Sequence, residues 1–310
     1  MDWLMAGEPA IRWHTMRDLT NAAADEVAAE RSRVAREGVG AAILARQDAD
    51  GAWRSEGNPA WLTTLFTLQL LRMAGVDPAA PEVRSALALA EKNLRWSDFS
   101  CGWDLRAPEF GGNRFFDGEV EPCINGGVLA FGSYFGRPSA RLAEQLMKEQ
   151  LADGGWNCEA PEKSSVSSFH TTICVLEGLA EYERASGGSR EIAEARKRGG
   201  EYLLERSLFR RRSTGETIDP KFLEFAFPPR YRYDVLRALD YFRATAANRD
   251  ARMEEAVRVI ERKRTANGWW LLDAGYDEAL TVSTGEAVGD ASRWNTLRAM
   301  RVLQWYRRSV

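Results

Sequence analysis

Two kinds of helical pattern alternate along the chain. In the first kind, Ala, Val, Leu and Ile occupy one face while Arg, Glu and Lys occupy the other, which is typical of helices that lie on a surface. The stretches of this kind are 25–46, 81–95, 139–150, 190–206 and 251–263. The second kind, as in residues 61–71 and 123–131, is apolar around most of its circumference. Helices with that pattern are enclosed by other helices.

The enclosed helices are predicted to begin near Ile11, Trp61, Cys123, His170, Tyr231 and Arg293. They alternate strictly with the five surface helices, and no segment alternates with a period of two, so we expect few strands or none. A closed double ring, with inner helices as a barrel wall and outer helices covering it, satisfies this pattern. An open solenoid is the alternative, but its concave wall faces water and would not carry Leu and Phe all round. We therefore predict an all-α fold, an (α/α)5–6 toroid formed by residues 1–310 as a single domain.

A repeated phrase that ends in Gly and Trp supports the toroid. It occurs at 46–53, 149–156 and 264–269, with a weaker fourth copy at 98–103. Each of the three clear copies follows a surface helix, so the glycine ends the helix and the Trp ring can pack back on it. Self-similarity at intervals of roughly 50 to 60 residues indicates a repeat architecture. The outer helices then end where the inner helices begin, and we expect the chemistry at that mouth of the ring.

Composition and charge exclude several classes of function. The chain has 42 basic and 45 acidic residues, a net charge of −3, which gives no large positive field for nucleic acid. No apolar run approaches the ~18 residues of a membrane span, and no basic leader precedes an apolar run, so we expect a cytoplasmic protein. Four cysteines in 310 residues do not make a disulfide framework; in a reducing compartment they are thiols or metal ligands.

The strongest candidate for a metal centre is Glu121, Cys123 and His170 at the starts of two successive inner helices. Carboxylate, thiolate and imidazole are ligands of zinc, and three protein ligands leave a fourth position open, as in catalytic sites. Pro122 suits the first turn of the helix that carries Cys123. Cys158 follows the second Gly-Trp phrase and is either a fourth ligand or a spectator thiol. The alternative for the whole set is a core cysteine and a hydrogen-bonded histidine.

Further candidates begin the same helices. Asp117 and Glu119 are candidate catalytic bases beside the metal ligands. We expect an apolar, aromatic-lined cavity at this mouth. Its predicted lining residues are His14, Trp61, Tyr233, Arg293 and Trp294, although packing explains the aromatic residues nearly as well.

The repeat and the metal-capable residues resemble the terpenoid-cyclase and protein-prenyltransferase superfamily of α/α toroids. The resemblance spans residues 10–307, and the Asp-Gly-Gly-Trp phrase at 153–156 is similar to its glutamine-tryptophan repeat. It is strongest with the zinc-bearing β subunits of protein prenyltransferases. Their Asp-x-Cys element looks like residues 121–123, and the segment around their zinc histidine looks like 168–179, which contains His170. The resemblance implies a zinc enzyme with a small lipophilic or isoprenoid-like substrate.

The sequence also departs from that family. Prenyltransferases place basic residues around the Asp-x-Cys element, whereas Arg114 is followed by Asp117, Glu119 and Glu121, and carboxylates repel a diphosphate. The arginines that could compensate are Arg12, Arg230, Arg232 and Arg293. The Asp-x-Asp-Asp run of the cyclases is absent from the sequence.

Three interpretations therefore remain open. The first is a prenyltransferase-like enzyme in which zinc activates a substrate thiolate. The second is a zinc-dependent hydrolase of a neutral lipophilic substrate. The third is a non-catalytic module that binds a lipophile or another protein.

Overall fold

The computed structural model describes residues 1–96, 113–119, 121–276 and 279–307. The fourth copy of the Gly-Trp phrase lies outside them. In chain order the α-helices are α1 (Asp2–Met5), α2 (Pro9–Leu19), α3 (Ala24–Ser32), α4 (Gly38–Leu44), α5 (Ala60–Ala74), α6 (Pro81–Asn93), α7 (Pro122–Tyr134), α8 (Ala140–Lys148), α9 (Phe169–Ser186), α10 (Arg190–Leu204), α11 (Val235–Ala244), α12 (Glu254–Arg262) and α13 (Arg293–Arg307). Short 3₁₀ helices occupy Phe115–Asp117, Pro220–Leu223 and Ala251–Met253. In the part of the chain that the structure describes, the strands are β1 (Trp270–Leu271) and β2 (Ala291–Ser292), which pair antiparallel.

The inner helices α2, α5, α7, α9, α11 and α13 form a closed ring. Helix α13 packs against both α11 and α2, so the last inner helix meets the first. Arg301 of α13 holds both neighbours, with Nη2 2.6 Å from Asp240 of α11 and Nη1 3.3 Å from Asp18 of α2. On the other side of α2, Trp13 donates from Nε1 to the carbonyl of Ala74 at 2.8 Å. The all-α toroid predicted from the sequence is confirmed.

Glycines bring α7 and α9 unusually close. A Cβ atom on Gly126 would lie 2.6 Å from the backbone of Cys174, and one on Gly178 would lie 2.5 Å from the carbonyl oxygen of Gly126. The two backbones therefore touch without intervening side chains. Since the first turn of α7 carries Cys123, this contact fixes its position relative to α9.

The first outer layer differs from the prediction. A single helix was expected over 25–46, but two helices, α3 and α4, cover this stretch. Gly38, the first residue of α4, adopts a φ of +66°, which interrupts the helix. A carboxylate from another element stabilises the break, because Oε2 of Glu8 accepts the backbone N–H of Val39 at 2.7 Å.

The Gly-Trp loops share one construction. Trp53, Trp156 and Trp270 are fully buried, and each indole Nε1 donates to a carbonyl ten residues earlier, at 2.8, 2.6 and 2.7 Å. The backbone N–H of each Trp donates to a threonine hydroxyl of the following inner helix, at 3.0 Å in all three loops. Those acceptors are Thr64, Thr172 and Thr296. Each loop therefore joins an outer helix to the inner helix that follows it.

The third copy of the phrase ends one residue later than predicted. The sequence pattern predicts Trp269 as its final residue, but Trp270 occupies the buried position. The reason is the spacing from the glycine with positive φ, which lies two residues before the buried Trp in every copy: Gly51, Gly154 and Gly268. Trp269 instead stacks on Trp3 with ring centroids 4.4 Å apart.

Candidate metal centre and central cavity

Glu121, Cys123 and Cys158 form a cluster at the mouth where the inner helices begin. One ligand atom from each lies within 4.8 Å of the others, and all three residues are partly buried. The Sγ atom of Cys123 is 3.5 Å from Oε2 of Glu121. Two thiols and a carboxylate are groups that bind divalent transition metals, so the cluster could hold a metal ion. We call these three residues the thiol cluster.

The start of α7 positions two members of the thiol cluster. Glu121 is the residue before the helix and Pro122 is its first residue. The backbone N–H of Glu121 donates to Oε1 of Glu119 at 2.7 Å. Asn125 fixes Glu119 in turn, since its side chain bonds both the N–H and the carbonyl of Glu119, at 2.7 and 2.9 Å.

Glu119, one of the two predicted catalytic bases, is engaged in local hydrogen bonds, and its role as a base stays a prediction. Its side chain is buried with the residue 2% exposed, and one carboxylate oxygen already accepts a backbone N–H. Glu119 is therefore a positioning residue for Glu121. Asp117, the other predicted base, ends a 3₁₀ helix, and its backbone carbonyl accepts from Arg141 Nη2 at 2.5 Å. Its role as a base stays a prediction.

Cys158 reaches the cluster on the loop that joins Trp156 to α9. The backbone N–H of Ser168 donates to the carbonyl of Trp156 at 2.8 Å, which closes the base of this loop. Both the backbone N–H and the Sγ of Cys158 lie 3.4 Å from the hydroxyl of Thr171. The interaction between the two thiols raises the pKa of Cys123, which burial raises further, and it lowers the pKa of Cys158. The two sulfurs are thus direct neighbours.

His170 is not a member of the thiol cluster, which corrects the predicted ligand set. Its Nδ1 accepts the backbone N–H of Tyr233 at 2.8 Å. Burial, together with the charges of Arg237 and Arg232, lowers its pKa to about 4, so the ring is neutral at pH 7. A neutral imidazole whose Nδ1 accepts carries its proton on Nε2, which leaves no lone pair for a metal. Cys158, rather than the predicted His170, is the third member of the cluster.

A cavity of about 710 Å³ occupies the centre of the ring, mainly between the second halves of the inner helices. We call it the central cavity. Two of its predicted lining residues, His14 and Trp294, are among those that line it. The other three, Trp61, Tyr233 and Arg293, are not among the residues that line it. Trp61 packs near Trp96, Tyr233 donates to the carbonyl of Leu208 at 2.5 Å, and Arg293 donates to that of Trp3 at 3.2 Å.

The central cavity is charged, contrary to the apolar lining that was expected. Among the residues described, nine arginines and five carboxylates line it. One buried pair joins Arg237 of α11 to Glu177 of α9 by two hydrogen bonds of 2.8 and 2.9 Å. Burial alone would raise the pKa of Glu177, but the Arg237 charge outweighs it and the pKa is lowered. Glu177 is therefore an anion at neutral pH.

A second charged group links three inner helices. Asp240 of α11 accepts from Arg301 of α13 at 2.6 and 3.0 Å and from Arg243 at 2.8 Å. Burial opposes the charge on Asp240, but these arginines keep its pKa below the ordinary value. Arg298 lies 3.9 Å from the same carboxylate and donates to the carbonyl of Ala226 at 3.0 Å. These interactions hold α13 in the ring.

The aromatic residues that line the cavity include Trp13 and His14 of α2, Phe227 of the loop before α11, and Trp294 of α13. Trp294 stacks on Phe227 with centroids 4.3 Å apart and nearly parallel planes. His14 stacks on Trp13 at 3.8 Å. Burial and the nearby charges of Arg301 and Arg17 lower the pKa of His14 well below its ordinary value. The cavity is thus lined by aromatic rings as well as by arginines.

No protein-family model matches the chain, and no curated protein matches it significantly. A search of solved structures finds the apo form of the type II terpene cyclase MstE from Scytonema. The identity is 16% and the TM-score is 0.46, over 95% of this chain and 86% of that chain. The toroid itself follows from the helix contacts described above. Within the described residues, no helix has the length and apolarity needed to cross a membrane.

Proposed function

We propose that this protein is a zinc-dependent transferase whose thiol cluster activates a substrate thiol. The observation that carries the proposal is the convergence of Glu121, Cys123 and Cys158 within 4.8 Å. The prenyltransferase resemblance of residues 121–123 supports transfer of an isoprenoid-like or other lipophilic group. Hydrolysis is the second candidate reaction.

The donor set fits zinc. Thiolates favour zinc over the hard cations Mg²⁺ and Ca²⁺, and a carboxylate completes a set of three protein ligands. The cluster is only partly buried, so a fourth position is accessible to a substrate. Zinc bound there would convert a coordinated thiol into a thiolate near neutral pH.

The charge of the donor set favours a thiol substrate over water. With both thiols deprotonated, the three residues contribute three negative charges, so the centre with a divalent cation has a net charge of −1. Negative charge opposes the loss of a proton from any further group at the site. A thiol, with an ordinary pKa of about 8.5, tolerates this penalty better than water, with a pKa of about 15.7.

His170 has a supporting role in this proposal. Its neutral ring is held by the N–H of Tyr233 and carries a proton on Nε2 at the same mouth. A neutral N–H donor can orient a substrate without adding charge. The Glu119 carboxylate accepts the backbone N–H of Glu121 and so keeps Glu121 in place.

The first experiment measures zinc in the purified protein and in two single variants. We expect about one zinc per chain in the wild type, a loss of zinc in Cys123→Ser, and retention in the matched control Cys174→Ser. Cys174 is a buried thiol that lines the central cavity and is not a member of the cluster. A folded wild-type protein that takes up no zinc would eliminate the enzyme proposal and favour a non-catalytic module.

A second experiment separates thiol activation from hydrolysis. The protein is loaded with Co²⁺ in place of zinc and titrated with 2-mercaptoethanol. We expect the thiolate-to-cobalt absorption to increase by about half, since a third sulfur joins two. No increase, together with metal-dependent hydrolysis of an ester, would favour the hydrolase.

A further inference from the structure

The arginines of the central cavity exceed its carboxylates, and we propose that the cavity binds a small molecule carrying an anionic phosphate or carboxylate group beside a planar apolar part. This site is separate from the thiol cluster, none of whose members lines the cavity. It therefore does not rest on the proposed zinc chemistry.

Positive charges outnumber negative charges among the residues that line the central cavity. Four lining carboxylates, Asp18, Glu177, Glu181 and Asp240, are shared by seven arginines within 4.0 Å. Several arginines therefore compete for each carboxylate, and the group as a whole retains a positive charge. Because a partly enclosed cavity screens charge less than bulk water, an anion from solution is attracted to it.

Arg31 adds a cation held by neutral groups. Its Nε donates to the carbonyl of Gly75 at 2.9 Å and its Nη2 donates to the hydroxyl of Tyr134 at 2.8 Å. Its guanidinium also lies over the ring of Trp13, 5.2 Å from the centroid. Within the described ranges it has no carboxylate partner. Arg31 is thus held in a fixed position with its charge uncompensated, a suitable arrangement for a charge-assisted hydrogen bond.

The aromatic residues of the central cavity indicate the apolar part of the ligand. Trp13, Phe227 and Trp294 line the same cavity as the arginines. These rings are more than nine-tenths buried, so an apolar part of the ligand contacts only the small area of each ring that faces the cavity, while the anionic group meets the guanidinium side. A volume of about 710 Å³ is within the usual range of small-molecule sites.

The test uses three naphthalene probes on the full chain, with EDTA present so that the thiol cluster is empty of metal. Binding of 1-naphthyl phosphate, 1-naphthoate and 1-naphthol is measured by isothermal titration calorimetry. We expect at least one of the two anions to bind about tenfold or more tightly than the neutral alcohol. The preferred anion distinguishes a phosphate ligand from a carboxylate ligand.

Matched variants locate the binding. Arg31→Gln removes one charge without leaving a carboxylate unpaired, and we expect it to weaken binding of the preferred anion by about tenfold. Arg31→Lys keeps the charge and recovers part of the affinity. Arg36→Gln is the control, because it removes one charge from an exposed pair with Glu82, and binding stays unchanged.

Three results overturn the proposal. The first is equal binding of 1-naphthol and the two anions, or no binding of any probe. The second is equal affinity of the anion for Arg31→Gln and the wild type, provided that the variant retains its thermal unfolding transition. The third is a loss of binding in Cys158→Ser, which would move the site to the thiol cluster.

Discussion

The two ends of the inner helices differ in how they hold polar groups. At the mouth where the helices begin, the thiol cluster is only partly buried, and the Glu119 carboxylate and the neutral imidazole of His170 each accept a backbone N–H. In the central cavity, between the second halves of the same helices, full charges pair across the ring, as in Arg237 with Glu177. The comparison shows that the kind of polar interaction a side chain makes depends on its position along the inner helix rather than on which inner helix carries it.

The difference has a structural cause. Loops enter at the mouth, so backbone N–H groups are available to side chains there: Glu119 accepts the N–H of Glu121, and His170 accepts that of Tyr233. Deeper in the ring most backbone groups are used by the helices, and the charged side chains pair mainly with one another. Such pairs connect neighbouring helices, and Arg301 joins α13 to both α2 and α11. The cavity charges are therefore part of what closes the ring.

The largest expected effect is on the charged cavity. Glu177→Ala leaves Arg237, whose side chain is 6% exposed, without its carboxylate. Breaking a buried pair on one side costs about 3–5 kcal/mol, so we expect the free energy of unfolding in urea to fall by about that amount. The control is Glu37→Ala, which removes an exposed carboxylate paired with Arg33, and it should be indistinguishable from the wild type. Equal stability of the two variants would contradict a structural role for the cavity pairs.

A smaller effect is expected at the mouth. Thr172→Val removes the hydroxyl that accepts the backbone N–H of buried Trp156 at 3.0 Å. An unsatisfied buried donor costs about 1–3 kcal/mol, which urea unfolding measures. Thr172→Ser retains the hydroxyl and should recover most of the loss. If the Val and Ser variants are equally stable, the hydrogen bond does not hold this loop.

The smallest effect concerns pH. The folded-state pKa of His170 is about 4, below the ordinary 6.5, so the unfolded chain takes up the proton first as pH falls. Stability is therefore lost as pH drops from about 6.5 towards 4, and the share due to His170 is about 1 kcal/mol at pH 5.5. His170→Asn keeps an acceptor for the N–H of Tyr233 without titrating. We expect the wild type to lose about 1 kcal/mol more than this variant between pH 7.5 and 5.5. Parallel pH profiles would show that the imidazole is not held neutral.

Much of the fold was predictable from the sequence because it depends on local periodicity. The helix starts predicted from the apolar pattern at Trp61, Cys123 and His170 each lie within one residue of the first residue of an inner helix. The break at Gly38 was missed because its stabilising partner, Glu8, lies thirty residues away in another element. The buried Trp270 was missed because the choice between adjacent tryptophans depends on the glycine with positive φ two residues before it.

The site was less predictable because it depends on contacts between elements. Cys123 and Glu121 are two residues apart and share one helix start, so their proximity follows from the sequence. The exclusion of His170 depends on the N–H of Tyr233, sixty-three residues away, which no motif reveals. The charged cavity did leave a signal in the sequence. Arg298 and Arg301, three residues apart, recur on one face of an enclosed helix, and charges there require partners from neighbouring helices.

The most direct test of the account is cobalt absorption of the metal-loaded protein in two variants. The wild type loaded with Co²⁺ should show the thiolate-to-cobalt band of two sulfurs. Cys158→Ser should lose about half of its intensity, since one of two thiolates is removed, while His170→Asn should keep it with the same ligand-field spectrum. An unchanged band in Cys158→Ser together with an altered ligand field in His170→Asn would contradict the account and restore the histidine as the ligand.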